Sequence, residues 1–122
     1  AIEKGQIEGG FVQGAGWLTI EEVNWKSNGE LTTHSPSTYK IPAVNDMPEK
    51  FNVKIYKNLN KENVVNKSKS VGEPPLMLSM SVFFAIKDAI ASVGNYTKIP
   101  ELNAPATPEA ILLSIKDLKN KL

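Results

Sequence analysis

The stretch Lys69 to Leu78, KSVGEPPLML, sets an ionisable carboxylate, Glu73, between Gly72 and two prolines at the mouth of a long apolar run. This is a setting in which a general base could work. The prolines restrict φ and leave the backbone around Glu73 few alternatives. The helix that follows turns its positive end toward the carboxylate. Gly72 allows the chain to fold tightly or to approach a ligand closely. A base needs a fixed position and a matched pKa, and a rigid helix start meets the first requirement. An acidic residue at a helix start is also common for electrostatic reasons alone, so a plain helix-start role stands beside the catalytic one.

Other chemistries are poorly supplied. The 122 residues contain no cysteine, which removes disulfides, thiolate zinc sites and protein-ligated iron–sulfur clusters from this chain. The single histidine, His34, cannot build a metal site alone and reads as an exposed loop residue. All 14 basic residues are lysines, scattered singly, and the formal net charge is +1. Such a pattern has neither an arginine fork for phosphate nor a nucleic-acid footprint. No dinucleotide fingerprint or P-loop is present, since GGFVQGAG lacks the required spacing and no lysine follows it. No leader is legible at Ala1, and the long apolar run carries Lys87 and Asp88, so neither a signal peptide nor a membrane span is expected. Asn66-Lys67-Ser68 and Asn95-Tyr96-Thr97 fit the glycosylation pattern but lack a secretory context. A cytoplasmic setting follows as the expectation. The chain begins at Ala1 within what reads as structure, which suggests a fragment or processed piece.

The elements that must position Glu73 are predicted as follows. Residues 5–22, GQIEGGFVQGAGWLTIEE, read as a helix with Ile7, Phe11, Ala15 and Leu18 on one apolar stripe. Its glycines each cost about 1 kcal/mol in a helix interior. The pairs Gly5/Gly9 and Gly10/Gly14 bare one face for close approach of another element or a ligand. Residues 22–33 read as a hairpin around Ser27-Asn28-Gly29, and 34–50, with Pro36, Pro42 and Pro48, as an irregular connection. FNVKIY, residues 51–56, alternates as a half-buried strand does, and Val64-Val65 could begin another. Leu76 to Val93 is predicted as a central helix, with Pro74 and Pro75 in its first turn and Gly94 as a left-handed cap. Thr107, Pro108 and Glu109 open a last amphipathic helix, with Ala110, Ile111, Leu112, Ile115 and Leu118 as its buried stripe. The expected fold class is α+β, three helices packed on a small mixed sheet, over residues 1–122 as a single domain or fragment.

Four blocks then carry a resemblance. GQIEGGFVQGAGWLTIEE, STYKIPA, SKSVGEPPLMLSMSVFFAIKDAI and APATPEAI, in this order, closely resemble the C-terminal part of the molybdopterin-binding subunit of the molybdenum hydroxylases. That is the xanthine dehydrogenase and aldehyde oxidase family. The likeness runs from about Gly5 to Ile111, and STYKIPA with VGEPPLMLSMSVFFAIKDAI bring it closer to the xanthine dehydrogenase branch.

The resemblance implies the following chemistry. Glu73 is the general base that activates a molybdenum-bound hydroxide for attack on a purine-like heterocycle or, second, an aldehyde. Gln6, separated from it by 73 − 6 = 67 positions, contacts the molybdenum-pyranopterin cofactor. Lys69 and Ser70 border the same loop, either as contacts to the pterin or its phosphate or as simple loop residues. Tyr39 and Lys40 serve packing and connection. Iron–sulfur clusters and FAD belong to other domains or subunits, and the groups that orient a purine belong to segments outside this sequence. The partners implied are the remaining segments of a molybdenum hydroxylase and a small-molecule substrate, with neither nucleic acid nor membrane. The isolated chain is expected to be inactive and to self-associate through uncovered apolar surface. The competing readings are a non-catalytic fragment or interaction module that keeps the scaffold without metal, and a stand-alone small-molecule binding domain.

Overall fold

The computed structural model describes residues 1–69 and 73–122. Among them are four α-helices: α1 (Ile2–Thr19), α2 (Glu73–Leu78), α3 (Met80–Val93) and α4 (Pro108–Asn120). Short 3-10 turns lie at Val44–Asp46 and Val65–Lys67. Helix α1 packs on α2 and α3, and α3 packs on α4.

The expected α+β architecture is not what forms. The described residues contain no β-strand, and one isolated antiparallel bridge, Trp25 to Leu31, stands where a sheet was expected. The hairpin turn itself is present. Lys26 N–H donates to the Glu30 carbonyl at 2.9 Å, and Gly29 takes φ +84°, which a glycine adopts without steric penalty. One more rung forms, Thr32 N–H to the Asn24 carbonyl at 2.9 Å, and there the ladder stops. FNVKIY forms no strand: Phe51 and Val53 are half-buried and Asn52 and Lys54 exposed, but Ile55 is exposed as well, and no strand among the described residues lies beside it. Alternation describes which faces are wet; a strand also needs a partner for its N–H and C=O groups. Phe51 instead sets its ring against Phe11 of α1, with centroids 5.4 Å apart. Val64-Val65 leads into a 3-10 turn in which Asn66 has φ 51°.

The helices follow the sequence signals more closely. Thr107 caps α4, accepting from Ala110 N–H at 3.2 Å, with Pro108 as the first helical residue. The buried face of α4 is Ser114 and Leu118, backed by Ala110, Ile111 and Ile115. Leu112 lies off that stripe, 65% exposed. The predicted central helix starts three residues early, at Glu73, and tightens at Ser79, whose N–H reaches back to the Leu76 carbonyl at 3.2 Å. Gly94 ends α3 with φ −99°, so it is not a left-handed cap; that conformation falls to Asn95 and Tyr96. Glycine serves there by its size, because a Cβ would stand 3.3 Å from Leu118 Cδ2.

The core is Ile90, Leu102, Ala106 and Leu118, with Phe83 and Ile86 against it. Two long-range bonds fasten the loop before α4: Ala106 N–H to the Leu18 carbonyl at 2.7 Å, and Ser114 Oγ to the Glu101 carbonyl at 2.6 Å. Glu73–Val93, 21 residues, is long and apolar enough by composition to cross a bilayer, with 11% of its apolar window buried. Its contacts join it to α1 and α4, but only Pro75, Ser79 and Ile90 along it are buried, so most of its surface is uncovered.

Candidate functional site

The site begins with a near-collision of two helices. At Gly14 of α1 an added Cβ would lie 2.5 Å from the Leu76 carbonyl oxygen and 2.6 Å from Ser79 Oγ. No side chain larger than hydrogen fits between them, and this brings the backbones of α1 and α2 together. The predicted stripe of Ile7, Phe11, Ala15 and Leu18 is only half-buried, and the fully buried positions of α1 are Gly14 and Gly16.

From that crossing both helices extend toward their N-termini and enclose a cleft of about 490 Å³. One wall is Gly5, Gln6, Gly9, Gly10 and Gln13 of α1; the other is Glu73 and Leu76 of α2. Gln6 and Glu73 therefore share one cleft across 67 positions of sequence. Gly5 and Gly9 have nothing within 4 Å of where a Cβ would project, so bare backbone faces open space. Glu73 is the first residue of α2, followed at once by Pro74 and Pro75. Its carboxylate stands at the positive end of the helix. Lys69 is exposed, and Ser70 and Gly72 lie outside the described residues.

Gln13 lines this cleft although it is not among the sequence candidates. It sits seven residues after Gln6, two helical turns along the same face, and that spacing was a usable signal. Among the described residues no group of three His, Cys, Asp or Glu side chains gathers as a metal would require. The cleft offers amides, bare backbone and one carboxylate, a donor set suited to an oxygen- and nitrogen-rich organic group that carries its own metal ligands.

Tyr39 takes the connecting role expected of it. Its hydroxyl donates to the carboxylate of Glu21, just past α1. Pro42 of the same segment lies against Gly16, where a Cβ would meet Pro42 Cγ at 2.5 Å. His34 is exposed beside it. Two other grooves, of about 540 Å³ around Val23, His34 and Tyr39 and about 450 Å³ around Glu101 and Asp117, include neither Gln6 nor Glu73.

The chain is similar to known proteins. Residues 1–48 match the family described as Molybdopterin cofactor-binding domain. A xanthine dehydrogenase/oxidase of Felis catus is 50% identical over 117 residues, covering 91% of this chain and 9% of the relative. A xanthine dehydrogenase of Oryza sativa subsp. japonica is 45% identical over 128 residues, covering 96% of this chain and 9% of the relative. A xanthine dehydrogenase/oxidase of Gallus gallus is 46% identical over 125 residues, covering 100% and 9%. The chain belongs to the molybdenum hydroxylase family. Within that family it is similar to the xanthine dehydrogenases, and it spans about 9% of the length of the relatives it matches. The match described as cofactor-binding covers α1 and Gln6, and the longer alignments extend over most of this chain.

Proposed function

We propose that this chain forms one wall of the cofactor pocket of a xanthine dehydrogenase-like hydroxylase, with Glu73 as general base and Gln6 as a contact to the molybdenum-pyranopterin. The observation that supports this reading best is the shared cleft: Glu73 and Gln6 both line it, beside the bare backbone of Gly5 and Gly9. When bound, the cofactor supplies the two-electron redox chemistry of hydroxylation. The residues of the chain do the rest of the work. Glu73 takes the proton of the water-derived nucleophile onto a carboxylate oxygen. Gln6, and beside it Gln13, offer side-chain amides that both donate and accept, which orients a polar heterocycle such as a pterin. Gly5 and Gly9 leave space for it to come close to the α1 backbone. Leu76, half-buried on the opposite wall, narrows the access of water. Pro74 and Pro75 hold the base in place.

The substrate class under this reading is a purine-like heterocycle, with aldehydes second. Iron–sulfur centres and a flavin on other segments of the enzyme would supply the electron-transfer chemistry, in the cytoplasm. The test is Glu73→Gln in the full polypeptide that carries this segment. Turnover is expected to fall by about 1,000-fold or more, with molybdenum and pterin content unchanged, because a positioned base contributes roughly 10²–10⁴-fold and the amide cannot accept the proton. Gln6→Ala is expected to lower cofactor retention. A Glu73→Gln enzyme that turns over within about threefold of the parent (well short of the loss expected for a general base) would leave Glu73 as a helix-start residue and remove it from the chemistry.

A further inference from the structure

Ser79 is fully buried, and it lies where α2 passes into α3. Its hydroxyl leaves its own helix and donates to the Phe11 carbonyl of α1 at 2.5 Å, a contact across 68 positions of sequence. The same hydroxyl is the atom that an added Cβ on Gly14 would strike at 2.6 Å. Ser79 thus joins the two helices by a directed bond at the place where their backbones are closest. From this joint two arms run N-terminally into the cleft. On α1 the arm from Phe11 back to Gln6 is five residues, roughly 7.5 Å of helical rise. On the other side the arm from Ser79 back to Glu73 is six residues, roughly 9 Å. Both arms are short and helical, so a rotation or slide at the joint moves the two cleft residues almost rigidly.

We infer that Ser79 is a positioning residue for Glu73: its bond to the Phe11 carbonyl sets the register of α2 on α1, and through it the placement of the Glu73 carboxylate opposite Gln6. Ser79 itself lines no part of the cleft. The inference rests on the proposed role of Glu73, and it adds a residue that touches neither cofactor nor substrate. Ser79→Ala removes the hydroxyl while leaving the close helix crossing intact, since Gly14 still lacks a side chain. Displacement of a base by roughly 1 Å can lower a rate by about 100-fold, which gives the scale of effect to look for.

The experiment uses the full polypeptide with two readouts. In the cofactor-loaded enzyme, Ser79→Ala is expected to lower kcat about 10- to 100-fold with KM near the parent value, and to change the pH profile of kcat. In the cofactor-free protein, spin labels at Lys4→Cys on α1 and Met77→Cys on α2 are expected to show a broader or shifted distance distribution when Ser79 is Ala. Ile90→Val, a core change remote from the joint, is the control: it lowers stability and moves neither readout. Ser79→Cys, which keeps the shape with a weaker donor, is expected to fall between parent and Ser79→Ala, and it carries the test if the alanine variant does not fold. A Ser79 variant whose kcat and label distance match the parent while its melting temperature falls would overturn the inference. An unaltered Glu73→Gln rate would instead sink the role of Glu73, and the label distances would still report on the joint.

Discussion

The Tyr39 hydroxyl donates to the buried carboxylate of Glu21, across 18 positions of sequence. This bond ties the STYKIPA segment to the C-terminal end of α1 and holds Pro42 against Gly16. It also raises the Tyr39 pKa above the ordinary 10.0, first through the hydrogen bond to Glu21, then through burial and the carboxylate's charge. Because the native pKa is raised, the contribution of the bond to stability is fully present below pH 10.0 and is lost as pH rises through the higher native value. A phenolate absorbance titration of the parent minus that of Tyr39→Phe should isolate one phenol with a midpoint above 10.0. A midpoint at the ordinary value would mean that the bond is absent in solution.

Two glycines of α1 should respond to alanine in opposite ways. Gly14→Ala drives a Cβ to 2.5 Å from a backbone carbonyl, where no side-chain rotation can relieve it. A loss of about 1–3 kcal/mol is expected, as for other overpacked sites. Gly9→Ala meets nothing within 4 Å and should stabilise the helix by about 1 kcal/mol. In the loaded enzyme Gly9→Ala should nevertheless reduce molybdenum retention, because its methyl group projects into the cleft. Thermal unfolding and elemental analysis of both variants would separate the two effects.

The cap of α4 offers a simpler check. Thr107→Ala removes the oxygen that accepts the Ala110 N–H and should destabilise by about 1 kcal/mol, whereas Thr107→Asp should retain most of the stability. The melting temperatures of the three proteins, ranked, test this directly.

Apolar surface along α2 and α3 is left uncovered by the described residues. Met77 is 58% exposed, Leu78 63%, Met80 43% and Phe84 55%. A patch of this kind marks an interface. The 122-residue chain expressed alone should self-associate and bind an environment-sensitive dye, and sedimentation velocity would show it. A monodisperse monomer that unfolds cooperatively and binds no dye would refute the expectation.

The helices were readable from local pattern because their signals are local. Thr107-Pro108 marks the start of α4 through a bond that closes within three residues, and Pro74-Pro75 marks the start of α2 through missing N–H groups. The strands were misread for the complementary reason. The alternation of FNVKIY matches burial at Phe51 and Val53 but not at Ile55, which is 56% exposed, and no strand among the described residues pairs with it; local pattern carries no trace of a missing partner. Leu112 was misplaced because an apolar residue next to a buried stripe looks the same as one within it.

The candidate site divides in the same way. Sequence alone determined the residue types: a carboxylate made rigid by prolines, a glutamine on a glycine-rich helix, and the blocks that resemble a molybdenum hydroxylase. Tertiary structure decided their relation. It placed Gln6 and Glu73 on one cleft, added Gln13, and showed that Gly14 is bare to admit a neighbouring helix while Gly5 and Gly9 are bare toward open space. Glycine spacing is identical for both purposes, and only the position of Leu76 and Ser79, more than sixty residues away, tells them apart. A contact across that separation depends on how whole helices pack, which no window of sequence contains.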